Sequence, residues 1–304
     1  MSIEISIIIC TYNREQYIYR TLEHIAGNPF PAERFEIVLV NNNSTDHTES
    51  ECQRFRETYP SLNFHYVMEV KQGLSHARNR GIRESRGETL VFLDDDAFAE
   101  GDYLQRLSSY LHSYPDAAAF GGKITPLFES GQTPPWLGKW SYSWVSALDK
   151  GTQVCLFKGK SYPIGANMGI KRHAVPAGEF NIALGRNKNN LMGGEEKDIF
   201  NRIKAAQGKI YYFPRLRVTH VIPERRTTRE YIRQLAEGVG RSERLRTQGI
   251  SRCAYLKSLL MEGVKWGATL LLWVRYAIGG TPQKGNMLVY FRRYVSKYLW
   301  CYKL

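Results

Sequence analysis

Short apolar runs alternate with amphipathic stretches through the first 124 residues, and this pattern constrains the fold more than any other feature. ISIIIC (5–10), FEIVLV (35–40), NFHYVMEV (63–70), TLVFL (89–93) and AAAFGGKI (117–124) read as strands, TLVFL being too short and too rich in β-branched or aromatic residues for a helix. Between them, REQYIYRTLEHI (14–25), STDHTESECQRFRETY (44–59), LSHARNRGIRES (74–85) and GDYLQRLSSYLHSY (101–114) read as helices. The second is expected to open on a Ser44 or Thr45 cap, with Asp46 near its positive end. Repetition at this spacing predicts an α/β chain with a doubly wound, mostly parallel sheet.

Ligands of such sheets bind at the carboxyl ends of the strands. Three polar clusters fall there: Thr11-Tyr12-Asn13, Asn41-Asn42-Asn43 and Asp94-Asp95-Asp96. Three carboxylates at a buried strand tip repel one another unless a cation sits among them or water screens them. Hard oxygen ligands suit Mg²⁺ or Mn²⁺, ions that in turn bind phosphate. A solvated acidic turn is the plainer alternative. There is no GxGxxG after the first strand and no GxxxxGK[ST], which disfavours dinucleotide oxidoreductases and P-loop enzymes.

Residues 125–192 read as irregular, with Pro134-Pro135-Trp136 and GANMGI (165–170); helix 196–207 and strand 209–213 then close the domain. In GGEEKD (193–198), Glu195 and Glu196 stand at a helix start, either complementing its dipole or offering a general base near a phosphate site. His220 follows the 209–213 strand as a structural histidine or a metal ligand, with Arg217, Arg225 and Arg226 beside it. Trp136, Trp140 and Trp144 would line one face if helical, as core packing or as a platform for a sugar.

Charge divides the chain. Residues 1–214 hold 24 Lys and Arg against 24 Asp and Glu, whereas residues 215–304 hold 18 against 5, so the whole excess of +13 lies in the last 90 residues. That asymmetry points to an anionic surface: lipid headgroups, a polyanionic polymer or nucleic acid. A basic helix is expected at 229–248. WGATLLLWV (266–274) is too short to span a bilayer and is expected to lie in its plane or to pack on the catalytic domain. The tail YFRRYVSKYLWCYKL (290–304) alternates aromatic and cationic residues, as interface-seeking segments do. Five scattered cysteines without a CxxC pair indicate neither zinc nor a disulfide framework and fit a reduced cytosol. MSIEISIIIC reads as a first strand, not a signal peptide.

SIIICTYNREQYIYRTLEHI, EIVLVNNNSTD, QGLSHARNRGI and ETLVFLDDDA resemble, in order and spacing, the successive motifs of family 2 glycosyltransferases. GANMGIKR, GGEEKD and VTHVIPERRTTREYIRQLAEGVGRS resemble the second half of that pattern, closest to members that build bacterial surface polysaccharides. The resemblance spans about residues 3–245. It implies a GT-A, Rossmann-like fold over 1–214, with a nucleotide-sugar half (1–124) and an acceptor half (125–214), followed by a basic helical extension over 215–304. It further implies nucleotide-sugar contacts from Thr11, Tyr12, Asn13, Asn42, Gly73, Asn79, Asp94 and Asp95. Metal ligation falls to Asp96, Asp94 and His220, base catalysis to Glu196 with Glu195 beside it, and acceptor contacts to Trp136 and Asn167. The chain departs from the family at Asn41-Asn42, where many members carry Asp-Asp, and at Glu196, where Asp is more usual.

The expected activity is metal-dependent, inverting transfer of a sugar from a nucleotide diphosphate donor, a UDP-sugar first, to a glycan or lipid-linked acceptor. The enzyme would be cytoplasmic, at the inner face of the membrane through its C-terminal segment, with no nucleic-acid partner. The rivals are a polyanion- or nucleic-acid-binding protein, though no zinc finger, RRM or KH pattern supports it, and a nucleotidyltransferase of related fold, though CTYNRE lacks the glycines of its usual loop.

Overall fold

A computed structural model describes residues 3–177, 179–185 and 194–300. Gly193 of GGEEKD, residues 186–192 of the expected acceptor loop and residues 301–304 of the aromatic tail lie outside the described residues. The strands are β1 (Ile5–Thr11), β2 (Phe35–Asn41), β3 (Phe64–Met68), β4 (Thr89–Asp94), β5 (Ala97–Ala99), β6 (Ala117–Phe128), β7 (Cys155–Leu156), β8 (Asn167–Lys171) and β9 (Lys209–Ile222). The helices are α1 (Ile18–Ala26), α2 (Thr48–Thr58), α3 (Leu74–Glu84), α4 (Tyr103–Ser113), α5 (Glu195–Ala205), α6 (Arg229–Ile250), α7 (Arg252–Ile278) and α8 (Pro282–Trp300).

The strands form one sheet in the order β3-β2-β1-β4-β8-β6-β9-β5, with β7 also on β9. β3, β2, β1 and β4 are parallel, as the strand–helix alternation requires. Antiparallel β8 continues from β4, and β6 pairs with β8. Successive side chains alternate between two cores. Ile5, Ile7, Ile9, Ile37, Leu39, Val91 and Leu93 pack with Leu22, Phe55 and Leu104 on one face. Ile8, Val38, Val40, Leu90 and Phe92 pack with Ala77, Ile82, Ile199 and Phe200 on the other. Each fully buried aliphatic side chain contributes about 1.5–3 kcal/mol, so central strands apolar on both faces are the stable solution.

Three local expectations are corrected. The segment at 165–170 is not irregular: β8 crosses the sheet centre, and Gly169 is required because a Cβ there would lie 2.1 Å from Cζ of Phe120. The strand beginning at Lys209 does not stop at Phe213 but runs through Pro214 to Ile222, so His220 lies within it. Neither Ser44 nor Thr45 caps α2, which starts at Thr48; Asp46 accepts from the Thr48 N–H at 3.0 Å, while the Ser44 hydroxyl accepts from the Asn13 N–H at 2.9 Å.

The chain divides into two compact units. One comprises Met1–Leu127, Ser146–Ile182 and Glu195–Val221, and the other Phe128–Val145, Ala183–Gly194 and Ile222–Leu304. The boundary expected at 214/215 thus falls inside β9. In the second unit α6, α7 and α8 pack on one another. Gly240 of α6 makes close packing possible, since a Cβ there would lie 2.4 Å from the Val295 carbonyl oxygen. The three tryptophans share no helical face. Trp136 is buried against Trp144, Trp144 stacks on Phe291 at 4.2 Å, and Trp140 is exposed.

Candidate active site

The aspartate triplet is positioned by a change of strand. Asp94 ends β4, Asp95 and Asp96 turn, and β5 begins at Ala97 and pairs antiparallel with β9. The register sets Ala97 opposite His220, and the Val221 N–H donates to the Asp96 carbonyl at 2.9 Å. As a result His220 Nε2 lies 2.9 Å from Asp96 Oδ1 and 3.8 Å from Asp94 Oδ2. His220 and Asp96 are buried, while the Asp94 side chain is 33% exposed. One ligand atom from each of the three residues lies within 4.8 Å of the others. Two carboxylates and an imidazole converging from a buried base toward an open side fit a Mg²⁺- or Mn²⁺-type ion.

Asp95 points to a different partner. Arg14, three residues past the end of β1, brings Nε to 3.2 Å from Asp95 Oδ1 and 3.9 Å from Asp96 Oδ2. Burial, the largest cause, pushes the Asp95 carboxyl up, and with Asp96 and Asp94 adding to it against the pull of Arg14 the group ends at about 6. The same pairing holds the Arg14 guanidinium above its ordinary value, Asp95 being the largest cause.

The strand tips expected to meet the nucleotide are tied together by their own side chains. Asn13, at φ 53°, accepts from the Thr45 N–H at 2.8 Å and joins the β1–α1 and β2–α2 loops. Asn42 donates to the carbonyls of Glu69 at 2.9 Å and Lys71 at 2.8 Å, and accepts from the Gly73 N–H at 2.8 Å. An aspartate could not make the two donations, so the departure at Asn42 has a structural cause. Gly73 itself, at φ 142°, holds a conformation that favours glycine. Thr11 is buried next to Asp95, whose carboxyl it helps to hold down, and Tyr12 is half-buried. Asn79 is buried and spent on the backbone of Phe180, accepting from its N–H and donating to its carbonyl at 2.9 Å each. These two bonds brace the 179–182 segment.

The second acidic cluster is organised by a residue that the motifs did not single out. Arg78, buried on α3, donates through Nη1 to Glu195 Oε1 at 3.1 Å and through Nη2 to Glu196 Oε1 at 3.0 Å. Burial alone would lower its pKa, but Glu196, Glu195 and then Asp94 more than reverse this. The guanidinium is thus in contact with both glutamates and within the electrostatic reach of Asp94. Gly165 leaves the room: a Cβ there would lie 2.1 Å from Arg78 Nη2 and 2.2 Å from Glu196 Oε1. The Glu195 side chain is 2% exposed and that of Glu196 is 21% exposed, so Glu196 is the one a substrate can reach.

Asn167 is corrected from acceptor contact to core bracket. It is fully buried, accepts from the Tyr103 hydroxyl at 2.7 Å, and donates to the carbonyls of Lys123 at 3.1 Å and Leu216 at 2.9 Å. Arg14 and Arg78 are the functional candidates that sequence reasoning missed. A signal for Arg78 exists: Ser75, Arg78, Asn79 and Ile82 share the buried face of α3, and an arginine there needs an internal anion.

A parallel half-sheet ending in an Asp-x-Asp cluster and extended by antiparallel strands is the architecture of the GT-A fold. The profile described as Glycosyl transferase family 2 matches residues 6–177, and the chain belongs to that family. Over 269 residues it is 24% identical to the glucosyl-dolichyl phosphate glucuronosyltransferase of Haloferax volcanii, covering 85% of this chain and 83% of that one. It is 27% identical over 232 residues to the succinoglycan biosynthesis protein ExoM of Rhizobium meliloti, covering 75% and 70%. Among solved structures, the mannosyltransferase PcManGT from Pyrobaculum calidifontis, in complex with GDP-Man and Mn²⁺, superposes with a TM-score of 0.67 at 18% identity. The match covers 100% of this chain and 89% of that one. The chain is thus a glycosyltransferase, and the α/β GT-A expectation is met.

Proposed function

We propose that the enzyme moves a sugar from a nucleoside diphosphate sugar to an acceptor hydroxyl with inversion, in the assembly of a polysaccharide or glycan, and that Glu196 is its general base. The observation that carries this reading is Arg78, which grips Glu196 and Glu195 and feels the charge of Asp94. It ties a half-open carboxylate to the acidic cluster where a diphosphate would lie. In the step, the Glu196 carboxylate takes the acceptor proton as the acceptor oxygen bonds to the anomeric carbon. The bond from that carbon to the diphosphate oxygen breaks, and its electron pair leaves with the nucleoside diphosphate. Asp94, Asp96 and His220 would hold a Mg²⁺ or Mn²⁺ ion, whose charge offsets that of the departing diphosphate. Arg78 fixes one Glu196 oxygen, so the base reaches the acceptor in a defined orientation.

A UDP-sugar is the first donor to test, with a GDP-sugar next because the solved mannosyltransferase carries GDP-Man. A lipid-linked acceptor is supported by the glucosyl-dolichyl phosphate relative. A peripheral contact of the C-terminal segment with the inner face of the membrane would bring such an acceptor close. A thermal-shift panel of UDP-, GDP- and dTDP-sugars with and without Mn²⁺ tests the donor side. Metal-dependent stabilisation by one nucleotide is expected, and it is lost in Asp96→Asn. Equal stabilisation of that variant would overturn the metal assignment.

A further inference from the structure

We propose that the outward face of α7 is a lipid-docking surface that lies in the plane of an anionic bilayer. This names the face and the lipid charge for the peripheral contact proposed above, and rests on that reading. Among the described residues no helix is long and apolar enough to cross a membrane. Yet Leu256, Leu260, Val264, Leu271, Val274 and Ile278 are all exposed, with Leu260 at 75%, Leu271 at 74% and Ile278 at 84%. Steps of three, four and seven residues put them on one helical face about 33 Å long.

The opposite face is polar and buried, the reverse of an ordinary surface helix. Glu262 is fully buried in the seam with α8, where it accepts from Arg292 Nη1 at 3.1 Å and Ser296 Oγ at 2.9 Å. Lys265 Nζ donates to it at 3.2 Å, and the Trp266 indole donates to Ser296 Oγ at 2.8 Å. Ser258 and Thr269 are buried as well. The apolar face is therefore not left over from packing: the polar groups occupy the seam and the leucines face out.

Charge identifies the occupant. Glu262 is the only acid of α7, and it is turned inward, while Arg252, Lys257 and Arg275 are exposed. Lys257 and Arg275 are 18 residues apart, about five turns at 3.6 residues each, and so stand on one flank of the stripe. There their ammonium and guanidinium groups reach headgroup phosphates while the leucines enter the acyl boundary. With 18 Lys and Arg against 5 Asp and Glu over residues 215–304, the surrounding segment favours an anionic leaflet.

The test is flotation of the full chain with phosphatidylcholine vesicles, with and without phosphatidylglycerol. The wild type is expected to float with the anionic vesicles, and Leu260→Glu/Leu271→Glu to bind them at least about tenfold less. Lys257→Glu/Arg275→Glu should also weaken binding, with melting temperature and circular dichroism unchanged in both variants. Absence of wild-type binding, or undiminished binding by the leucine variant, overturns the proposal. So does a dimer that the leucine variant converts to monomer while vesicle binding persists, because the face is then a self-interface. Transfer to a water-soluble acceptor separates the two readings. Vesicle binding without transfer refutes only the catalytic one, and transfer without vesicle binding refutes only this one.

Discussion

At the residue scale, Glu195 and Glu196 are adjacent in sequence and bonded to the same guanidinium, yet their exposures differ about tenfold. That difference predicts opposite phenotypes. Glu196→Gln should lower kcat by about 10²–10⁴, the range of a lost general base, with donor affinity and melting temperature held. Glu195→Ala should leave Arg78 one carboxylate short and cost roughly 3 kcal/mol of stability, the low end for breaking a buried pair, since Glu196 remains. Wild-type turnover by Glu196→Gln would remove it from the mechanism. Asn42 makes the complementary case. Asn42→Asp restores the residue pair's commoner family chemistry but sets a carboxylate against the carbonyls of Glu69 and Lys71. We expect a loss of about 1–3 kcal/mol in urea unfolding, not an altered nucleotide preference. The acids stood out as candidates in the sequence because unpaired charge at a strand tip is costly. The buried amides were less so, since Asn42, Asn79 and Asn167 satisfy backbone groups that only the fold assembles.

At the scale of elements, pattern located β1 to β4 and their helices because period-2 and period-3.6 burial are local properties. It missed β8 and the second half of β9 for a shared reason. Gly165 and Gly169 look like loop residues, and Pro214 like a strand end, until a neighbour is present: Arg78 and Glu196 against Gly165, and Phe120 against Gly169. The pairing of Ala97 with His220 is likewise invisible in one dimension, although it brings His220 to Asp96. The same sheet carries a buried charge that sets acid sensitivity. Glu36 on β2 accepts from Ser6 Oγ at 2.6 Å and from Arg86 Nε at 2.8 Å. Burial alone would raise its pKa, but the Ser6 and Arg86 hydrogen bonds outweigh it, and the net shift is downward. A depressed folded pKa means that the unfolded chain binds the proton first. The stabilisation is therefore present above the ordinary carboxylate value and is lost as pH falls through the folded one. Glu36→Gln should flatten that part of the pH–stability curve and leave neutral-pH unfolding still reversible. An unchanged acid limb would count against Glu36 as its source.

At the scale of the whole molecule, the split of the chain does not follow sequence order. Phe128–Val145 belongs with the C-terminal helices, and its Trp144 lies between Trp136 and Phe291. Charge counting located the basic extension but could not reveal that an upstream segment, Phe128–Val145, completes its core, because aromatic stacking between distant segments leaves no periodic trace. The ring of Phe291 is 7% exposed and that of Trp144 8% exposed, so truncating either should cost about 3–5 kcal/mol. The two losses should also be less than additive in a double-mutant cycle, since each variant removes the same stacked contact. Hydrogen exchange would locate the effect: in Trp144→Ala, protection should fall in α8, far along the chain from the mutation, while β1 to β4 keep theirs. A chain ended before α8 leaves Trp144 without its stacking partner and should precipitate where the full chain does not. If the truncated chain were as soluble and as stable as the full one, the upstream tryptophans would owe nothing to the helices, and their place in the second unit would need another cause.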